Sequence, residues 1–136
     1  MAECLFCAAV SGELDVVEVW SSADVFAFLD HRPVFKGHVL ILPRTHIEVL
    51  ADLPADAVGP YFLAVQRLAT AVEQGLGAGG TFVALNNRVS QSVPHLHTHV
   101  VPRTKGDGLR GFFWPRTKYA SPDEAAEYAA KIAAAL

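Results

Sequence analysis

Three histidines alternate with other residues in the segment PHLHTHV, at positions 94–100. They are His95, His97 and His99, half of the six histidines in the chain. Because successive side chains of a strand point to opposite faces, we expect the three rings on one face and the intervening residues on the other. The spacing therefore predicts a row of imidazoles on one side of a sheet.

Such a row of histidines has three possible interpretations. It could be a solvent-exposed stripe without a task, although Gln91 and Ser92 just before it argue against this. It could be a His-x-His metal site, which needs a third ligand and a carboxylate partner that this segment does not show. In the third interpretation, a backbone carbonyl holds the Nδ1–H of a neutral imidazole, and Nε2 attacks phosphorus while flanking histidines assist. The central His97 is then the nucleophile.

Several strands are predicted around this segment. Pro94 and Pro102 stand on either side of HLHTHVV. Because proline has no backbone N–H to donate to a neighbouring strand, this predicts a short strand between the two prolines. The run HVLILP is continuously apolar and predicts a buried, central strand that stops at Pro43. The stretch VEVWSSADVFAFLDH predicts a hairpin, with strands near Val16–Trp20 and Val25–Leu29.

Two helices are predicted. Apolar residues recur at helical spacing over Ala55–Gly75, and the segment ends with glycine, which indicates a helix end. Pro60 fits this helix only near its first turn or at a kink. The following GLGAGG lacks the Lys and Ser/Thr of a phosphate-binding loop and predicts a cap and a turn before a TFVAL strand. Ser121 and Glu124 stand in capping-box positions before a second, alanine-rich helix.

Composition restricts the class of protein. The chain has 136 residues, of which 51% are hydrophobic and 18% charged, so we expect one domain, 1–136, with a real core. A net charge of −3 without any Lys/Arg run argues against a nucleic-acid partner. No apolar stretch approaches the roughly 20 residues that span a bilayer, and MAECLFCAAV lacks the basic start of a signal peptide. We therefore expect a cytoplasmic protein without a membrane partner.

Three segments of the sequence resemble those of a known family. The segment SQSVPHLHTHVVPR closely resembles the signature of the histidine triad (HIT) superfamily of nucleotide hydrolases and transferases. FAFLDHRPVFKGHVLILPRTHI resembles an earlier block of that family, and CLFC resembles the CIFC of many bacterial members. The resemblance covers a core of about 4–103, and the segment 104–136, which contains the aromatic and basic DGLRGFFWPRTKY, is variable in the family.

The resemblance implies an α+β fold, in which an antiparallel sheet of about five strands packs on one long helix, with a C-terminal helix added. It also implies a homodimer whose sheets join across a twofold axis.

The resemblance also implies catalytic roles. His97 matches the nucleophile that accepts a nucleoside monophosphoryl group, and His99 matches the histidine that contacts the phosphate. His95 and His38 match supporting histidines, and Ser92 matches a hydroxyl near the leaving group.

Nucleotide-binding roles are implied in the same way. Asp30 matches the carboxylate that binds both ribose hydroxyls, and Gln91 lies beside the hydroxyl of Ser92. Positions lining the nucleoside pocket are matched by Phe6, Phe28 and His31. Asn86 matches an asparagine on the phosphate side. The loop NNRVSQS is shorter than the glycine-containing loop usual in the family, which leaves open whether Asn86, Asn87 or Arg88 makes that contact.

The two cysteines are too close in sequence to link distant parts of a fold, which leaves a metal or redox role open. Many bacterial relatives with CxxC bind a structural zinc, and the resemblance assigns its ligands here to Cys4, Cys7, His46 and His95. That set suits a closed tetrahedral site. The alternative is a pair of reduced thiols packed in the core.

The expected function is cleavage at the α-phosphate of a purine nucleoside phosphoramidate or a similar adduct. A nucleotidyl-histidine forms on His97, and water releases the nucleoside monophosphate. A dinucleoside polyphosphate hydrolase would use the same residues, and VVPR is compatible with that branch. A nucleotide-binding regulatory protein without catalysis is the third possibility, against which the intact triad and Ser92 argue.

Overall fold

The computed structural model describes residues 4–109 and 116–136. It confirms the expected five-stranded antiparallel sheet, the long helix and the C-terminal helix. The elements are, in order, α1 Leu5–Ser11, β1 Glu18–Ser21, β2 Val25–Leu29, β3 Val39–Pro43, a 3₁₀ turn Leu50–Asp52, α2 Ala55–Leu76, β4 Gly80–Leu85, β5 Thr98–Arg103 and α3 Pro122–Ala134.

The sheet has the order β1-β2-β3-β5-β4, with every neighbouring pair antiparallel. β1 and β2 form the predicted hairpin, although β1 begins at Glu18 instead of Val16. β3 is the central strand that the apolar run predicts, and all five of its residues are buried. It is buried throughout because helices cover both faces of the sheet at this point.

Each face of the sheet has its own hydrophobic cluster. On the α2 face, Ala27, Ile41 and Val100 pack against helix residues that include Leu68. On the opposite face, which we call the α1 face, a smaller cluster joins α1 to the sheet. Its buried members are Phe6, Ala9, Phe26, Phe28, Leu40 and Leu42. No pattern in the sequence predicts α1, because its seven residues are too few to show helical periodicity.

The histidine segment enters the sheet later than expected. β5 starts at Thr98, so His95 and His97 lie in the chain just before the strand. The expected separation of sides is nevertheless confirmed, because Leu96 belongs to the α2-face cluster whereas His95 and His97 contact Phe6 of α1. The expectation that Pro102 bounds the strand is wrong. Pro102 lies within β5, past Val100, the last residue that β5 pairs with β3.

The helix ends follow the predicted chemistry with small shifts. α2 passes through Pro60 and ends at Leu76, and the capping glycine is Gly77, with a φ of 62°, rather than Gly75. The hydroxyl of Ser121 accepts the N–H of Glu124, as a capping box requires. Across residues 4–109 and 116–136, none of the helices combines the length and apolar character needed to cross a membrane. Most of the FFWPR segment lies outside the described residues.

Candidate functional site

The ring of His97 is held by the backbone of its own segment. Its Nδ1–H donates to the carbonyl oxygen of His95 at 2.7 Å, so the lone pair of the neutral ring lies on Nε2. The side chain is buried, and this burial lowers the pKa of His97 below its ordinary value. The ring is therefore neutral at pH 7, the form in which an imidazole is a nucleophile.

A chain of hydrogen bonds sets the tautomers of His38 and His99. The backbone N–H of Val34 donates to Nδ1 of His38 at 3.1 Å, which leaves the proton of this ring on Nε2. That proton is donated to Nδ1 of His99 at 3.0 Å. His99 consequently carries its own proton on Nε2. Burial and the neighbouring rings of His97 and His38 lower the pKa of His99 to about 4, so that it is a neutral hydrogen-bond donor.

A cavity of about 660 Å³, the first cavity, opens on the α1 face beside these rings. Its polar side contains His97, His99, Ser92, Asp30 and Asp15, together with the exposed His31. Its apolar wall is formed by Leu5, Phe6, Leu14, Val16, Val17, Phe28, Leu29, Leu40 and Val93. The Phe6 ring packs edge to face with His97 at a centroid distance of 4.8 Å. The cavity therefore combines titratable and hydroxyl side chains with an apolar wall suited to a flat apolar group.

Asp30 lies between this cavity and a second one. Its Oδ1 accepts the N–H of Arg32 at 2.9 Å, and its Oδ2 lies 3.7 Å from Nδ1 of His38. The second cavity has a volume of about 790 Å³ and also contains His99. Its other walls are Arg32, Val34, His38, Phe82, Ala84, Leu85, Asn86, Ser90, Val101 and Leu109. Asp30 and His99 thus face both spaces.

The loop before the histidines places its polar residues unevenly. Asn86 lies in the second cavity and donates to the carbonyl of Ser90 at 3.2 Å. Asn87 points elsewhere, because its Oδ1 accepts the N–H of Leu50. The amide of Gln91 binds the backbone N–H of Arg88 and the carbonyl of Glu48, at 2.9 and 2.6 Å. Gln91 therefore lines neither cavity and holds the loop in shape instead.

Two features of this site have no signal in the sequence. Arg32 adds a cation to the second cavity, and Asp15 adds a second carboxylate to the first. Neither belongs to a motif, and only the packing of the loops against the sheet brings them to the cavities.

A second group of ligand-type side chains lies beside the first site. Cys4, Cys7, His46 and His95 bring their sulfur and nitrogen atoms within 4.8 Å of one another. Nδ1 of His95 is 3.4 Å from Sγ of Cys4 and 3.6 Å from Sγ of Cys7, and Nδ1 of His46 is 3.3 Å from Sγ of Cys7. Ordinary zinc bond lengths place the sulfur and nitrogen ligands of a tetrahedral site about 3.5 Å apart. The donor set and its spacing fit zinc.

The orientation of His95 supports this fit. Its Nε2 lies 2.8 Å from the carbonyl of Pro43 and donates its proton there, which leaves a lone pair on Nδ1 toward the two sulfurs. A metal-binding histidine usually donates its other N–H in this way. The sequence predicts both a catalytic and a metal role for His95. Both ring nitrogens of His95 are engaged and its side chain is fully buried, so the hydrogen bond that His95 forms with His97 is made by its carbonyl and not by its ring.

Comparison with known proteins agrees with this geometry. A family model described as the HIT domain matches residues 11–106. The chain belongs to the HIT domain family. A crystal structure of a HIT family member from Bacillus subtilis is 33% identical, with a TM-score of 0.87, and the match covers 99% of this chain and 98% of that one.

Two further HIT relatives are informative. A Zn-bound histidine triad family protein from Mycobacterium smegmatis is 34% identical, with a TM-score of 0.74, over 98% of this chain and 97% of that chain. The adenosine 5'-monophosphoramidase hnt1 of Schizosaccharomyces pombe is 31% identical over 123 residues, which is 89% of each chain. The HIT proteins similar to this chain therefore include an adenosine 5'-monophosphoramidase and a protein with bound zinc.

Proposed function

We propose that this HIT protein is a hydrolase that cleaves purine nucleoside phosphoramidates, or related nucleotide adducts, at the α-phosphate. The observation that carries the proposal is the hydrogen bond from Nδ1 of His97 to the carbonyl of His95, which leaves Nε2 as a neutral nucleophile. The S. pombe phosphoramidase supports the substrate class.

The reaction has two steps. Nε2 of His97 attacks the α-phosphorus and the P–N bond breaks, while a proton from solvent water passes through the hydroxyl of Ser92, which lines the same cavity, to the nitrogen of the leaving amine. Nε2–H of His99 donates to a non-bridging phosphate oxygen while charge develops there. Water then attacks phosphorus and loses a proton to solvent, the P–Nε2 bond breaks, and the nucleoside monophosphate is released as neutral His97 is restored.

The nucleotide occupies the first cavity. Its two ribose hydroxyls donate to the carboxylate of Asp30, whose two oxygens offer several acceptor positions. The purine lies against the apolar wall near Phe6 and Phe28, with His31 at the rim. Asn86 acts from the second cavity, on the phosphate side.

Zinc is proposed as a structural ion held by Cys4, Cys7, His46 and His95. When bound, it cross-links α1 to the chain that precedes β5, and it supplies no catalytic chemistry. Such a cross-link would also fix the position of Phe6, a residue of α1 that lies beside the candidate nucleophile. Phe6 lies between the two cysteines in sequence and contacts both His95 and His97. A firmly held α1 keeps the Phe6 ring against the nucleophile.

We further propose a homodimer. β4 is at the edge of the sheet, with β5 on one side only. The exposed Val83 lies in this edge strand. Pairing of β4 with the same strand of a second copy would cover that edge, as isologous interfaces commonly do. Sedimentation velocity should then show a species of twice the chain mass.

One observation favours a second candidate function. The second cavity shares His99 and Asp30 with the first and contains the cation of Arg32. Its volume of about 790 Å³ has room for a second nucleotide, as in a dinucleoside polyphosphate. Such a substrate would be cleaved by the same His97, with a nucleotide instead of an amine as the leaving group.

A substrate panel with intermediate trapping tests the proposal. Phosphoramidates, dinucleoside polyphosphates and sulfated nucleotides are compared by kcat/KM, and reactions are quenched with base for intact-mass analysis. We expect the phosphoramidates to be the best substrates and the protein to gain the mass of one nucleoside monophosphoryl group. Turnover without any such adduct under single-turnover conditions, together with full activity of His97→Gly, would overturn the mechanism.

A further inference from the structure

The first cavity contains a carboxylate for which the proposed reaction has no use. Of its polar groups, His97, His99, Ser92 and Asp30 serve the phosphate and the ribose. Asp15 remains. In the parts of the chain that the structure describes, no side chain forms an ion pair or a hydrogen bond with the Asp15 carboxylate. An exposed carboxylate on a cavity wall that has no partner among the described residues is available to a ligand.

The position of Asp15 in the chain places it at the base end of the cavity. The N–H of Leu14 donates to the carbonyl of Ala8 in α1 at 3.1 Å, and the N–H of Leu29 in β2 donates to the carbonyl of Val17 at 2.9 Å. These two bonds hold the segment 14–17 between α1 and β2. Its neighbours on either side, Leu14 and Val16, belong to the apolar wall. A purine that packs on Leu14 and Val16 can therefore present its edge to Asp15, which lies between them in the chain and lines the same cavity.

A carboxylate at this point discriminates between the purines. Guanine presents N1–H and the 2-amino group side by side, two donors that match the two acceptor oxygens of a carboxylate. Adenine presents one donor, its 6-amino group, beside the lone pair of N1, which a carboxylate repels. The same carboxylate thus attracts guanine and repels adenine, and specificity commonly combines a favourable contact with one ligand and an unfavourable contact with its competitor.

We propose that Asp15 makes guanine nucleotides the preferred ligands of this protein. The inference rests on the proposed function, because it assumes that the ribose is held at Asp30 and the phosphate at His97. It goes beyond that function in naming the base and the residue that selects it.

The test is calorimetric binding of GMP, IMP and AMP to the full chain. We expect GMP to bind about tenfold more tightly than AMP, since Asp15 is solvent-exposed and its hydrogen bonds compete with water. IMP retains N1–H but lacks the 2-amino group and should bind with intermediate affinity. Asp15→Asn presents one acceptor and one donor, which match N6–H and N1 of adenine as well as N1–H and O6 of guanine, so this variant should bind GMP and AMP with similar affinity.

Two controls separate the base contact from other effects. Asp15→Ala should level the affinities for GMP and AMP, whereas Glu13→Gln, which removes a nearby exposed carboxylate outside the cavity, should keep the wild-type ratio. Equal affinities for GMP and AMP in the wild type, with turnover of both phosphoramidates, would overturn the role of Asp15 and leave the proposed function standing. Binding of none of the three nucleotides would overturn both.

Discussion

Nδ1 of His97 lies 2.7 Å from the carbonyl oxygen of His95, and this hydrogen bond links the candidate metal site to the candidate catalytic site. The ring of His95 faces the two cysteines, while its carbonyl holds the ring of His97. One residue thus belongs to the candidate metal site through its side chain and to the candidate catalytic site through its backbone. The orientation of His97 therefore depends on how His95 is held.

Removal of the His97 ring tests covalent catalysis. We expect His97→Gly to lower kcat by about a thousandfold or more, because the nucleophile is lost. Binding of nucleoside monophosphate should change only a few-fold, since Asp30 and the apolar wall of the cavity remain. Steady-state rates and calorimetric titration measure the two quantities. A variant with activity within a few-fold of the wild type would contradict the assignment.

Asp30→Ala tests the ribose contact. The variant should lose about tenfold more affinity for ribonucleotides than for 2'-deoxyribonucleotides, because the missing acceptor serves the ribose hydroxyls. Titration with both forms of one monophosphate gives the ratio. Asp24→Ala, a matched change outside the first cavity, should leave the ratio as it is in the wild type. Equal losses on both ligands would remove Asp30 from the ribose site.

Metal analysis tests the Cys4, Cys7, His46 and His95 group. Protein purified without chelator should contain about one zinc per subunit, and a strong chelator should lower its melting temperature, because an ion bound only by the folded state stabilises that state. Turnover below the new melting temperature should persist, since attack by His97 needs no ion. Protein without zinc, or a chelated protein that stays folded and loses all turnover, would refute a structural site.

The cysteines provide a matched control for the chelator. A Cys4→Ser, Cys7→Ser double variant should melt at the temperature of the chelated wild type, because it lacks both thiolate ligands. Adding chelator to this variant should produce no further shift in melting temperature. A further shift would show that the chelator acts somewhere other than at the cysteines.

The buried histidines make stability depend on pH. The folded-state pKa of His99 is about 4, below the ordinary value of 6.5, and burial also lowers the pKa of His38. Between pH 6.5 and 4 the unfolded chain binds more protons than the folded one, so stability is highest above pH 6.5 and falls as the pH falls. Melting temperatures from pH 7 to 5 should therefore decline.

A variant identifies the group responsible. His99→Asn removes one titrating ring and should make the decline of melting temperature between pH 6.5 and 5 less steep, with the remaining decline due to other buried histidines such as His38; ordinary carboxylates titrate little in this range. Release of a metal at low pH would affect the wild type and the variant alike. Identical slopes for the two proteins would show that His99 does not titrate in this range.

Tyr61 provides a stability test in the core. Its buried hydroxyl donates to the carbonyl of Ile41 at 2.8 Å and accepts from the hydroxyl of Thr98, 2.7 Å away, where β5 begins. We expect Tyr61→Phe to lower the free energy of unfolding by about 1–3 kcal/mol, because two buried groups lose their partner. Urea denaturation measures this loss. The exposed Tyr128→Phe should change stability by less than about 0.5 kcal/mol, and an equal effect of the two would contradict the account.

Local patterns in the sequence were enough to locate most elements of the fold. Apolar runs and helical spacing predicted the bounds of β2, β3 and α2 within a residue or two. This is possible because buried positions require apolar residues, so the spacing of apolar residues follows the type of element. These patterns failed for α1, which is short, and for Pro102, whose place in β5 depends on where β3 stops pairing. Pairing partners of a strand lie far away in sequence.

For the site, the sequence alone determined which residue types are present and how the histidines are spaced, and resemblance to HIT proteins supplied their expected roles. Only the tertiary structure decided which ring nitrogen is free. The carbonyl of His95, the N–H of Val34 and the carbonyl of Pro43 fix the tautomers of His97, His38 and His95. These partners are backbone atoms, which every residue type carries. No pattern of side-chain types in the sequence predicts these hydrogen bonds, because they depend on how separate segments of the chain pack together.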